Sequence, residues 1–156
     1  MAIIDAYTML SGGVSTTGAI TYQTVTGASS VLSTNTLDLL HNQDYGMGES
    51  PTVQFEVGTA FTGLTALEMQ VITADDAALT TNVTVIGGTG AIPVASLTAG
   101  ARFYVDVSGR PGNKGQRYVG ARYIPTGTGT AGTISAAIVG DVQDSKKLYP
   151  SSYSVL

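Results

Sequence analysis

Apolar and polar residues alternate with a period of two through much of the chain, the spacing that sends successive side chains of an extended strand to opposite faces. After Pro51, Val53, Phe55 and Val57 face one way and Thr52, Gln54 and Glu56 the other. Leu67, Met69 and Val71 alternate with Glu68, Gln70 and Ile72, and Phe103, Val105 and Val107 with Arg102, Tyr104 and Asp106. Val119, Ala121 and Tyr123 alternate with Tyr118 and Arg122. Weaker runs cover Gly18 to Val25, Val31 to Leu40 around Leu37 and Leu39, Val83 to Ile86, and Thr133 to Val142. Ile92-Pro93-Val94 is short and proline-limited, so it reads as an edge strand or connector. No segment keeps a 3.6-residue apolar stripe. The pattern predicts an all-β fold, a jelly roll or β-sandwich of about eight antiparallel strands with extended terminal arms.

Punctuation between the runs predicts their connections. Ala101 to Ile124 reads as a hairpin, because Ser108-Gly109-Arg110-Pro111-Gly112-Asn113-Lys114-Gly115 can continue neither strand. In its return run Arg117 shares parity with Val119, and a bulge at Gly120 would restore the alternation. Gly87-Gly88-Thr89-Gly90 reads as a turn, and Pro125 to Gly132 as a loop almost without side-chain bulk. One domain over 13–143 is expected, with an arm before it (1–12) and one after it (144–156). Ile3, Ile4 and Tyr7 in the first arm, and Leu148, Tyr149 and Tyr153 in the second, are too apolar for idle tails.

Composition removes several kinds of chemistry. The 156 residues include no cysteine, so disulfides, thiolate metal sites and a cysteine nucleophile are absent. His41 is the only histidine, which rules out a two-histidine metal site within one chain; in its polar stretch it reads as a solvated residue. Asp75-Asp76 lacks the spacing of a calcium loop and reads as a turn or helix cap. The glycines at 87–90 lack the lysine of a phosphate-binding loop, and Asn82-Val83-Thr84 matches the glycosylation pattern by chance. No catalytic set, cofactor or metal is expected, so the chain reads as a non-enzyme.

Charge narrows the partners. A net charge of −4 argues against a sequence-independent grip on nucleic acid, and no apolar run approaches the length of a membrane-crossing helix. The first residues lack the features of a secretory signal, so the expected compartment is the cytoplasm. Only 12% of residues are charged, about half the usual share, which suits close packing against other protein. Arg102, Arg110, Lys114, Arg117 and Arg122 are five of the seven basic residues, either a docking patch for an acidic surface or a solvated face.

Ile3-Ile4-Asp5-Ala6, Leu37-Asp38-Leu39, Asp44 to Pro51 leading into the Val53-Phe55-Val57 run, Arg117 to Tyr123, and Gly140-Asp141-Val142-Gln143 resemble, in order, the Bbp16-like capsid cement proteins of tailed bacteriophages. The segment after Gln143 departs from that pattern. The resemblance implies a jelly-roll decoration protein that forms a homotrimer on the outer surface of the head, near threefold axes, and stabilises contacts between capsomers of the major capsid protein. It implies a virion location, with host cytoplasm during assembly. Ile3, Ile4, Tyr7, Arg110, Lys114, Arg117, Arg122, Leu148, Tyr149 and Tyr153 are the candidate contacts with capsid or sister subunit. The alternative is a carbohydrate-binding β-sandwich module of a phage fibre or cell-surface protein, using Tyr45, Tyr104, Tyr118, Tyr123 and Tyr149. An enzyme on the same scaffold comes last, for want of an acid/base pair.

Overall fold

A computed structural model describes residues 6–40, 51–107 and 116–139. Ten strands account for most of them: β1 (Met9–Ser11), β2 (Gly13–Val14), β3 (Ile20–Thr21), β4 (Gln23–Thr24), β5 (Val31–Leu32), β6 (Leu37–Asp38), β7 (Thr52–Ala74), β8 (Thr84–Pro93), β9 (Arg102–Asp106) and β10 (Tyr118–Val139). Single 3-10 turns sit at Ala6–Thr8 and Val94–Ser96, and no α-helix occurs among the described residues. The fold is all-β: one eight-stranded antiparallel sheet, with β2 and β3 paired beside it.

Two strands of 23 and 22 residues, β7 and β10, form the frame. They pair antiparallel from Thr52 opposite Val139 to Ala74 opposite Tyr118. Along the far edge of β10 lie β4, then an isolated Gly27–Gly129 bridge, then β5 and β6, while β1 pairs near the end of β10 at Ala136 and Ala137. The other edge of β7 is shared: β9 takes Thr52 to Glu56, and β8 takes Ala66 to Thr73.

The long ribbon is folded back on itself. At roughly 3.3 Å per residue, Phe55 and Met69 would stand about 45 Å apart on a straight strand. Yet Tyr123, directly opposite Met69, packs its ring edge-on against Phe55 at 6.1 Å. The fold line is marked in β10 by register shifts from Thr126 to Ile134. It is crossed by Gly27, Gly63, Gly127 and Gly132, with φ of 91°, 83°, 92° and 148°. Such φ values strain any residue with a Cβ, which is why glycine stands where a strand must bend sharply. Gly132 is also covered by Phe61: a Cβ there would lie 2.2 Å from the ring.

Folding the ribbon joins the inner faces of its halves into one core. Val53, Phe55 and Val57 from the first half meet Leu67, Met69, Val71, Val119, Ala121 and Tyr123 from the second. The predicted inward residues of these runs are buried, and those of β9 follow the same phase. In β8, Val85 is exposed, and Ile86 and Ile92 pack on the core. A smaller cluster of Ile72, Ala74 and Leu79 lies apart from this core, with Leu32, Val83 and Tyr118 against it.

Four expectations about connections are corrected. The two sides of the predicted 101–124 hairpin do not pair; β9 binds the first half of β7 and the start of β10 binds the second. Each finds a long edge on β7 in place of the other. The stretch from Pro125 to Gly132 is strand interior at the fold line, not a loop. Gly87 to Gly90 lies inside β8, where Gly87 lets the strand approach Val105 and the Asp106 carbonyl. Gly120 sits in unbroken register rather than a bulge, and its missing side chain makes room for Leu79, whose Cδ1 would be 2.3 Å from a Cβ. Within the first twelve residues, read as an arm or short strand, Met9, Leu10 and Ser11 form the short strand β1 and are buried.

Candidate interaction surface

Of the ten residues singled out as contacts, Ile3, Ile4, Arg110, Lys114, Leu148, Tyr149 and Tyr153 lie outside the described residues, as does His41. Tyr7, in the first 3-10 turn, is 88% exposed. Arg117 forks onto Asp38, with Nε and Nη2 each 2.6 Å from a carboxylate oxygen, and its guanidinium lies 5.1 Å from the centre of the Tyr118 ring. The hydrogen bond to Asp38 raises the Arg117 pKa further. Arg122 directs the same fork at Gln70 Oε1, at 3.0 and 2.6 Å. Arg102 pairs with Glu56 on the other half of β7. The described basic residues are therefore tied to three separate partners.

The structure assembles a group that the sequence reading did not find. Tyr22, between β3 and β4, lays its ring over Gly58; a Cβ on that glycine would fall 2.5 Å from the ring. An aromatic ring over a strand glycine restores the packing that the glycine lacks. The Tyr22 hydroxyl donates to Glu56 Oε1 at 3.1 Å, while Glu56 Oε2 accepts from Arg102 Nε at 2.9 Å and Gln54 Nε2 at 3.4 Å. Partial burial first, then the Glu56 carboxylate, pushes the Tyr22 hydroxyl above its ordinary value. Tyr104 stands opposite Gln54 on β9, two residues from Arg102, and is 43% exposed. Beyond it Thr52 donates to Asp106 at 2.7 Å. The only advance signals were the outward parity of Arg102, Tyr104 and Asp106 and of Gln54 and Glu56.

The acidic pair at 75–76 acts as a turn former, as expected. Asp76 accepts from the Thr80 hydroxyl and from the Thr80 and Thr81 amides, which hold its carboxyl below the usual range. Asp75 accepts from Asn82 at 2.6 Å. No group of three potential ligands capable of holding a metal occurs among the described residues. Buried polar side chains are spent on structure: Thr73 donates to Gln116, Gln116 to the Asn82 carbonyl, and Tyr123 to Ser11 Oγ at 2.6 Å.

Low charge and a folded antiparallel sheet with aromatic and polar side chains on its surface define the molecule's class, an all-β sandwich. The Bbp16 family model matches residues 15–138, from the turn after β2 to the end of β10, and the chain belongs to the Bbp16 family. No curated protein matches the chain.

Proposed function

We propose that this protein is a capsid cement protein: a homotrimer on the outer surface of a phage head that stabilises contacts between capsomers of the major capsid protein. Membership of the Bbp16 family is the observation that carries the reading. The exposed body supports it. Large apolar side chains stand at the surface at Tyr7, Val14 and Leu40, the last 68% exposed. Few charges oppose close packing against another subunit.

On this reading the chain needs no catalytic set, cofactor or metal, and binds neither nucleic acid nor membrane. It stabilises by linkage: it binds the assembled shell and not dissociated capsomers, so its binding free energy adds to that of the shell. Three copies on one trimer act at high effective concentration, so individually weak contacts become collectively tight. The protein would pass from host cytoplasm to the virion during assembly. Native mass spectrometry of the purified protein is expected to give a trimer, and centrifugation with mature empty heads to carry it into the pellet. A monomer that stays in the supernatant at all protein concentrations contradicts the proposal.

A further inference from the structure

We propose that the outer edge of β9 pairs antiparallel with the same edge of a second copy of this chain, joining the two sheets about a twofold axis. The register of β9 on β7 leaves that edge bare. Val57 donates its amide to the Ala101 carbonyl, and Val107 donates to the Pro51 carbonyl. With no register shift between Arg102 and Asp106, the odd-numbered residues turn their backbone groups towards β7. The amides and carbonyls of Arg102, Tyr104 and Asp106 point away from it, and no backbone bond to them occurs among the described residues. An open edge accepts a further strand unless something blocks it. The outer edge of β8 is guarded by two register shifts, a φ of 68° at Gly90 and Pro93 at its end. In β9 there is no proline, lysine or bulge.

The side chains select the occupant. Arg102, Tyr104 and Asp106 stand on one face of β9 at intervals of two, a cation and an anion with an exposed ring midway. An antiparallel pair centred on Tyr104 sets Arg102 opposite Asp106 of the second copy, Asp106 opposite Arg102 of the second copy, and ring beside ring. A parallel pair would oppose like charges. The same centring fits the backbone, because the residues that then face each other are the ones whose amides and carbonyls are unspent. On the other face Phe103 meets Val105 of the second copy and extends the apolar layer. Arg102 has donors to share, since Glu56 takes its Nε and the side chain is 50% exposed. So short a strand makes a weak contact, and a twofold pairing of like edges joins two copies and no more. The setting rests on the cement reading: there the contact ties neighbouring trimers together on the shell, where they are held at high effective concentration.

The test is sedimentation velocity of the full chain over a rising concentration range. The wild-type protein is expected to associate beyond the species present at high dilution. Tyr104→Pro removes an amide that points away from β7, so it is expected to keep the unfolding midpoint and to lose that association. Arg102→Glu and Asp106→Lys each set like charges opposite one another and are expected to weaken association about tenfold. Mixing these two variants is expected to restore it, since both facing pairs are then of opposite sign. Thermal unfolding of each variant checks that the fold is kept. No association of the wild-type chain at any concentration, association unchanged in Tyr104→Pro, or a mixture that associates no better than either variant alone overturns the proposal. Head binding is read separately by co-sedimentation. Failure of β9 pairing with head binding intact leaves the cement reading standing, and β9 pairing in a chain that binds no heads leaves the pairing standing without its setting.

Discussion

Among the described residues Tyr123 is the largest fully buried side chain, and its hydroxyl ties β10 to β1, since Ser11 lies 112 positions earlier. Tyr123→Phe leaves the buried Ser11 hydroxyl without its donor and is expected to cost about 1–2 kcal/mol in urea unfolding at neutral pH. Burial also raises the Tyr123 pKa above its ordinary value of 10.0, against the smaller opposing effect of Ser11. The folded state thus favours the neutral phenol. Its contribution is complete below pH 10 and is lost as pH rises further, because the unfolded chain ionises first. Stability should fall above pH 10 by up to about 1.4 kcal/mol per pH unit from this group, and Tyr123→Phe should flatten that slope. Tyr22 shifts in the same direction, so a smaller decline should persist in the variant.

Strand alternation and strand pairing were legible to different degrees. Val53, Phe55 and Val57 announce their buried face locally, because side-chain direction depends only on an extended backbone. Pairing depends on what competes for an edge, and neither Arg102 to Asp106 nor Tyr118 to Tyr123 signals that a distant 23-residue strand will take both. In the sequence the glycines of 125–132 read as a loop, because low bulk and turn-forming residues have two uses, a chain reversal or a strand bent at a crease. Tyr22 was missed because its role depends on Gly58, 36 positions away, and a bare glycine does not indicate which ring will cover it. The crease makes a graded prediction. Gly127→Ala introduces strain at φ 92° with no contact closer than 3.5 Å, and should cost about 1–2 kcal/mol. Gly132→Ala adds a collision with Phe61 and should cost more, with guanidinium unfolding giving the order.

At the scale of the whole molecule, the cement proposal predicts separable roles for the body and its ends. Removing Met1 to Asp5 leaves β1 in place, so the domain should keep its unfolding midpoint while shell binding weakens. Removing residues through Ser11 takes Leu10 from the core and the partner from Tyr123, and should lower the midpoint by several degrees. Deleting Lys146 to Leu156 is expected to weaken decoration without unfolding. The account as a whole meets its most direct test in sedimentation of mature empty heads with and without saturating protein, followed by heating of the decorated shells. The protein should pellet in a fixed ratio to the major capsid protein and raise the temperature at which heads disassemble. Heads that gain no protein, or gain it and disassemble at an unchanged temperature, would contradict a cement role.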